Sequence, residues 1–251
     1  MSTAILEMTE YQIDRAVESR NVQLMEKETL FVLNNLVASV NEVYSATFDF
    51  VKAERVRLKV EPQVVFASDY VNDLKGMLDY SARIYAKSVD AAEIKVKLDS
   101  WFYDVTDHGF LVYGYNHASL VSMTEAASYL GISRSMVYKY VERGLEVVGA
   151  KGSQKIPRVV LEAWKNPAYA VQMQWNYQVK KARTQTTAQR LDTIQRQIGE
   201  FERTYRGTFQ QRFGRLSAET IDGRADAVDI HDWKDFEDEK QRLLDSLDQQ
   251  H

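Results

Sequence analysis

The stretch SRSMVYKYVER sets the hydroxyls of Ser133 and Ser135 beside the guanidinium groups of Arg134 and Arg143, the Lys139 ammonium and the Tyr138 phenol. Lys151, Gln154, Lys155 and Arg158 follow shortly after. Lys and Arg only donate hydrogen bonds, and they keep their charge at neutral pH, so this set suits holding an anion. The net charge of −4 conceals the concentration. Residues 120–190 hold 11 Lys/Arg against 4 Asp/Glu, residues 1–119 hold 12 against 18, and residues 191–251 hold 9 against 14. A basic block between two acidic ones is a candidate polyanion surface. Charge alone fits a solvated face equally well, so the local motif has to decide.

Catalytic chemistry finds less support. Cys is absent, which excludes disulfides, thiolate zinc sites and cysteine nucleophiles and suits a reducing compartment. Among His108, His117, His231 and His251, the one cluster read as having metal-binding spacing is Asp229 and Asp232 around His231. These belong to a generally acidic run and read as a solvated cluster. No Walker-type loop, Gly-x-Ser-x-Gly elbow or dinucleotide fingerprint occurs. The expectation is no catalysis, no metal and no cofactor.

The elements that must carry the basic residues follow from caps and glycines. Ser122 can cap a short helix, with Glu125 as the reciprocal half of a capping box. Met123, Ala126, Ala127 and Leu130 form its inner stripe, and the alanines allow a second helix close approach. Gly131 supplies a tight turn and Ile132 plugs the corner. Ser133 caps the second helix, with Val137, Tyr140 and Val141 available for packing, and Gly144 ends it. Val147-Val148 and Lys155-Ile156 flank a loop of hairpin composition, Gly149 to Gln154. Pro157 suits the first position of a following helix, where Leu161 and Trp164 close a small core.

This segment, Leu120 to Trp164, resembles the winged helix-turn-helix of excisionases and MerR-type regulators. The matching pieces are AASYLGISRSMVYK at residues 126–139, the Gly144 stop, the hairpin wing, and Ile156-Pro157-Arg158. One departure is the wing sequence AKGSQK, which lacks the arginines typical after its glycine. The resemblance implies that the second helix enters the DNA major groove. A helix N-terminus also attracts phosphate through its free N–H groups. Arg134 is the candidate base contact, since its fork of donors can pair with guanine N7 and O6, with Ser135 assisting. Tyr138, Lys139 and Arg143 are assigned to phosphate, with Ser133 at the helix start. Lys151, Gln154 and Lys155 would reach the adjacent minor groove, and Arg158 the backbone.

Around this segment the chain reads as helical. With 251 residues, 45% apolar and 27% charged, it is globular, large enough for one large domain or two small ones. Three Pro and 11 Gly are too few for the turns of a sandwich or barrel. Residues 28–54 read as one amphipathic helix with Leu33, Leu36, Val37, Val40, Val43, Tyr44 and Phe48 on one face. Val56, Leu58 and Val60 alternate with Arg55, Arg57 and Lys59 as a weak strand closed by Pro62. Ser68 and Ser88 are candidate caps of two further helices, the second ending at His108-Gly109. Leu111 to Ser119 reads as a strand or linker. The N-terminus is acidic and poor in apolar residues, unlike a signal peptide, and no apolar run approaches the roughly 20 residues of a membrane span.

From Tyr169 the pattern looks continuously helical. Leu191, Ile194, Ile198, Phe201 and Tyr205 step by three and four, the seam of a coiled coil or of a helix packed on its own chain. MerR-type regulators dimerise through a helix after the DNA-binding domain, so the resemblance implies a homodimer. Lys180, Lys181, Arg183 and Arg190 could extend the basic face. Tyr205, Phe209 and Phe213, then an acidic spacer, then Trp233 and Phe236 resemble the partner-wrapping tails of some small bacterial antitoxins.

The reading is therefore a mainly α protein: a helical N-terminal domain (1–115), a winged helix-turn-helix (116–168) and a helical dimerisation and partner-binding tail (169–251). Its expected role is a cytoplasmic, nucleoid-associated transcriptional repressor on double-stranded DNA. It could be the antitoxin of an operon that it also regulates, with a toxin as partner. The alternatives are an excisionase or packaging factor that works beside a recombinase or terminase, and a protein-interaction module whose helix-turn-helix has lost DNA.

Overall fold

The computed structural model describes residues 3–150, 152–214 and 216–248. Helix takes 70% of the chain and strand 12%, so the fold is mainly α. Two compact units divide at Thr184 and Gln185.

In the first unit, α1 (Thr3–Glu18) packs on α2 (Val22–Val43). Asn21 caps α2 by accepting from Leu24 N at 3.0 Å. The chain then turns into β1 (Phe48–Leu58), a short helix α3 (Pro62–Val65), α4 (Ser68–Tyr85), α5 (Ala91–Val105) and β2 (Thr106–Tyr115). β1 and β2 pair antiparallel.

This N-terminal part is thus not a helical bundle alone. The helix expected across 28–54 stops at Val43, and Phe48 opens a strand. Asn41 explains the switch: its Oδ1 accepts from Val51 N at 2.6 Å and its Nδ2 donates to Val51 O at 2.9 Å. One side chain thereby satisfies a strand residue's whole backbone edge. The expected weak strand is the far end of this longer one.

Three local assignments also shift. Ser68 is the first residue of α4, and Ala67 precedes it without a side-chain cap. Asp90, not Ser88, caps α5, through Glu93 N at 2.7 Å, while Ser88 closes the previous helix on Arg83 O. α5 ends at Val105, and Gly109 lies inside β2. Its φ of +101° faces an irregularity in β1, where an added Cβ would stand 2.7 Å from Glu54 O. A side chain does not fit there.

The first unit continues through β3 (Leu120–Ser122), α6 (Met123–Leu130), α7 (Arg134–Glu142), β4 (Lys155–Pro157), α8 (Arg158–Lys165) and α9 (Pro167–Thr184). β3 pairs antiparallel with β4. Val148 bonds to Lys155 in both directions, at 2.8 and 2.9 Å, closing the Gly149–Gln154 loop. Pro157 ends β4 and stands one position before α8. A single apolar core runs from Ile13 through Leu98, Val137 and Trp164 to Met173. The contacts therefore do not thin at 115/116 or 168/169.

The second unit begins with a break in the expected continuous helix. Thr186 caps α10 (Thr187–Tyr205) in a capping box with Gln189. α11 (Phe209–Arg212), α12 (Ala218–Asp222) and α13 (Ala227–Asp248) follow. Ile194, Ile198, Phe213, Ile221, Ile230 and Trp233 are its buried core, with Phe201, Tyr205, Phe209 and Phe236 packed against it. Leu191, on the same face of α10, is 9% exposed. The nine residues expected to bind a partner are accordingly engaged or covered within their own unit. Heptad spacing requires a covered face, and α13 covers this one.

Candidate nucleic-acid interface

α6 and α7 form as their caps dictate. Ser122 Oγ accepts from Glu125 N at 3.2 Å, and Glu125 Oε2 accepts from Ser122 N at 2.7 Å. Those two bonds, followed by Arg158 and Lys155 nearby, hold the Glu125 carboxyl below the usual carboxylate range. Gly131 takes the left-handed conformation at φ +68° and turns the chain. Ser133 Oγ then accepts from Met136 N at 3.3 Å and caps α7. Ala126, Ala127 and Val137 are buried where the two helices meet.

This packing divides α7 into two faces. Met136, Val137, Tyr140 and Val141 turn inward. Arg134, Ser135, Tyr138, Lys139 and Glu142 are all exposed, at the spacing of one helical stripe. Ser133 and Arg143 are exposed at its two ends. Among the described residues, no ion pair engages Arg134, Lys139, Arg143 or Arg158. Ser135 Oγ is shared with Ser133 Oγ at 2.9 Å. Gln154 and Lys155 are half-buried on the return strand, and Arg158 is exposed at the start of α8. Lys151 lies outside the described residues. Chemically the face offers the Arg134 fork at the helix N-terminus, the Tyr138 phenol and Lys139 ammonium along it, and the Arg143 fork at its C-terminal end, with the Glu142 carboxylate among them.

Two of the expected extensions of the basic face are internal pins. Arg183 donates to Thr106 O at 2.6 Å, Thr106 Oγ1 at 2.8 Å, and Gly109 O and Tyr103 O at 3.4 Å. Lys180 Nζ donates to Leu111 O at 3.0 Å. Both tie α9 to β2, and Arg183 also reaches the end of α5, because a long cationic side chain can extend to backbone carbonyls of a neighbouring element. In the second unit Arg190 makes a two-pronged pair with Glu239, at 2.6 and 2.7 Å. Lys181 remains exposed.

Sequence reasoning missed a polar cluster behind α7. Lys95, on α5 and 2% exposed, lies 3.1 Å from Asp99 and 2.9 Å from Glu146, with its Nζ 3.7 Å from the centre of the Tyr113 ring. Tyr113 donates to Asp99 at 2.7 Å. A cleft of about 360 Å³ opens beside the cluster, walled by Tyr103, Val141, Leu145, Met173 and Tyr177. Burial pushes the Lys95 ammonium down and the Glu146 carboxyl up, but the attraction of Asp99 and then Glu146 outweighs it for Lys95, and that of Lys95 and then Lys180 outweighs it for Glu146. Lys95 is therefore held above the usual lysine value and Glu146 below the usual carboxylate value. The i,i+4 pair of Lys95 and Asp99 was readable in the sequence, whereas its link to Glu146 was not.

In the second unit, His231 pairs with Asp222 at 2.7 Å rather than with Asp229 or Asp232. Among the described residues, no three or more His, Asp or Glu side chains are grouped to hold a metal, and no helix is long and apolar enough to cross a membrane. No protein-family model, curated protein or solved structure matches this chain.

Proposed function

We propose that residues 120–165 are a winged helix-turn-helix that binds double-stranded DNA, with α7 in the major groove, and that the protein is a sequence-specific transcriptional repressor. The observation that carries this reading is the outer face of α7. Arg134, Tyr138 and Lys139 are all exposed there, and none has an acidic partner among the described residues. A helix whose cations served only its own fold would turn them toward carboxylates, as Lys95 is turned. The resemblance of residues 126–139 to excisionase and MerR-type domains supports the same reading. The aromatic residues of the second unit are engaged in its own core, so no partner is assigned to them.

The test is selection of random duplexes by the purified full chain. An enriched motif is expected. Arg134→Ala should then lose discrimination at one position of that motif, by roughly 1–3 kcal/mol. Lys139→Ala should weaken binding to all sequences and reduce the salt slope by about 1. An absence of both enrichment and salt-dependent binding overturns the proposal. An enriched inverted repeat supports repression, while tandem direct repeats favour the excisionase role.

A further inference from the structure

α7 is held by a narrow apolar face, with Tyr140 and Val141 packed against the core and the Tyr140 ring 5.5 Å from Trp164. Val137 is its one fully buried side chain. The chain immediately after it is held much more tightly. Gly144, at φ +115°, lies so near Tyr177 that an added Cβ would stand 2.7 Å from the ring-bearing carbon. Leu145 is buried, and Glu146 Oε2 meets Lys95 Nζ at 2.9 Å. Lys95 belongs to α5, in the centre of the first unit's core.

We infer that Lys95 is a positioning residue that sets the orientation of α7 through Glu146. Apolar contacts let a short helix roll by exchanging rotamers. A buried ammonium placed between two carboxylates and over a ring resists that, because moving Glu146 away leaves Lys95 with Asp99 as its one remaining carboxylate in a low-dielectric setting. The clamp grips the exit of α7, so it fixes which side chains face outward without touching what they meet.

The functional part of this inference rests on the DNA reading. Base-edge contacts need side chains placed closely, whereas phosphate contacts tolerate more freedom. Glu146→Gln removes one charge and leaves Lys95 paired with Asp99, so the variant should fold. Its preference for the selected duplex over a scrambled one should fall about tenfold, with affinity for the scrambled duplex and the salt slope unchanged. Glu146→Asp, which keeps the charge, should recover most of the preference.

A second measurement does not involve DNA. The chain has no cysteine, so spin labels can be placed cleanly at Glu142→Cys on α7 and Asp79→Cys on α4. The distance distribution between them should broaden when Glu146→Gln is added. An unchanged distribution overturns the clamp, as does equal loss on both duplexes or a Glu146→Asp variant as impaired as Glu146→Gln. If the wild-type chain selects no DNA, the proposed function fails, and the spin-label distances still decide the clamp.

Discussion

Replacing Trp233 with Ala should unfold the second unit and leave the first intact. Trp233 is 0% exposed. Its ring stacks on Phe201 at 5.6 Å and lies 5.6 Å from Tyr205, 5.5 Å from Phe209 and 5.9 Å from Phe213. It is the hub around which α10, α11 and α13 meet. Truncating a buried Trp to Ala costs about 3–5 kcal/mol. A unit as short as Gln185–His251 rarely has more than roughly 3–5 kcal/mol in total from its core. The loss therefore matches the whole stability of the unit. Hydrogen exchange read by mass spectrometry should show the amides of α10 and α13 losing protection, with those of α2 and α5 unchanged. Trp233→Phe, which keeps a ring in the cage, should cost only about 1 kcal/mol and retain protection. Retained protection of α10 and α13 in Trp233→Ala would refute the argument and return Trp233 to the residues available for a partner.

Three further outcomes concern the first unit. Arg183→Met removes four hydrogen bonds to the end of α5 and to β2. It should cost about 2 kcal/mol and lower the unit's melting temperature by roughly 4–8 °C; an unchanged melt would show that these carbonyls find other donors. Gly144→Ala must place a methyl at positive φ against Tyr177. It should destabilise the unit by about 1–3 kcal/mol, read as a lower urea midpoint, and a neutral effect would mean the turn relaxes freely. The third outcome is pH dependence. Glu146 is held below its ordinary value, so its contribution is complete above the unfolded carboxyl pKa of about 4.3 and fades as pH falls through the depressed folded value. Lys95 is held above its ordinary value, so its contribution is complete below about 10.4 and fades as pH rises through the raised one. Urea unfolding between pH 3 and 7 should show a shallower acid loss in Glu146→Gln than in the wild type, and identical limbs would refute the pairing.

Around α6 and α7, what depends on neighbours a few residues apart was legible in the sequence, whereas the Asp90 cap of α5 and the Thr186 cap of α10, equally local, were not read. The Ser122–Glu125 box, the Gly131 turn, the Ser133 cap and the Gly144 stop are local hydrogen bonds and backbone conformations, and the structure forms each where the residue types call for it. The division of α7 into apolar and polar faces follows from the same short-range spacing. What needed the tertiary structure were choices between partners. Tyr44 and Phe48 continue a helical stripe by spacing, but β1 begins at Phe48 because β2, far along the chain, offers it a ladder and Asn41 captures Val51. The seam from Leu191 to Tyr205 shows in sequence that a face must be covered, and only the folded unit identifies α13 as its cover. Arg183 and Lys180 read as part of a basic face because residue type reports charge. Whether a charge meets water, a carbonyl or a distant carboxylate is decided by long-range packing, which no local pattern encodes.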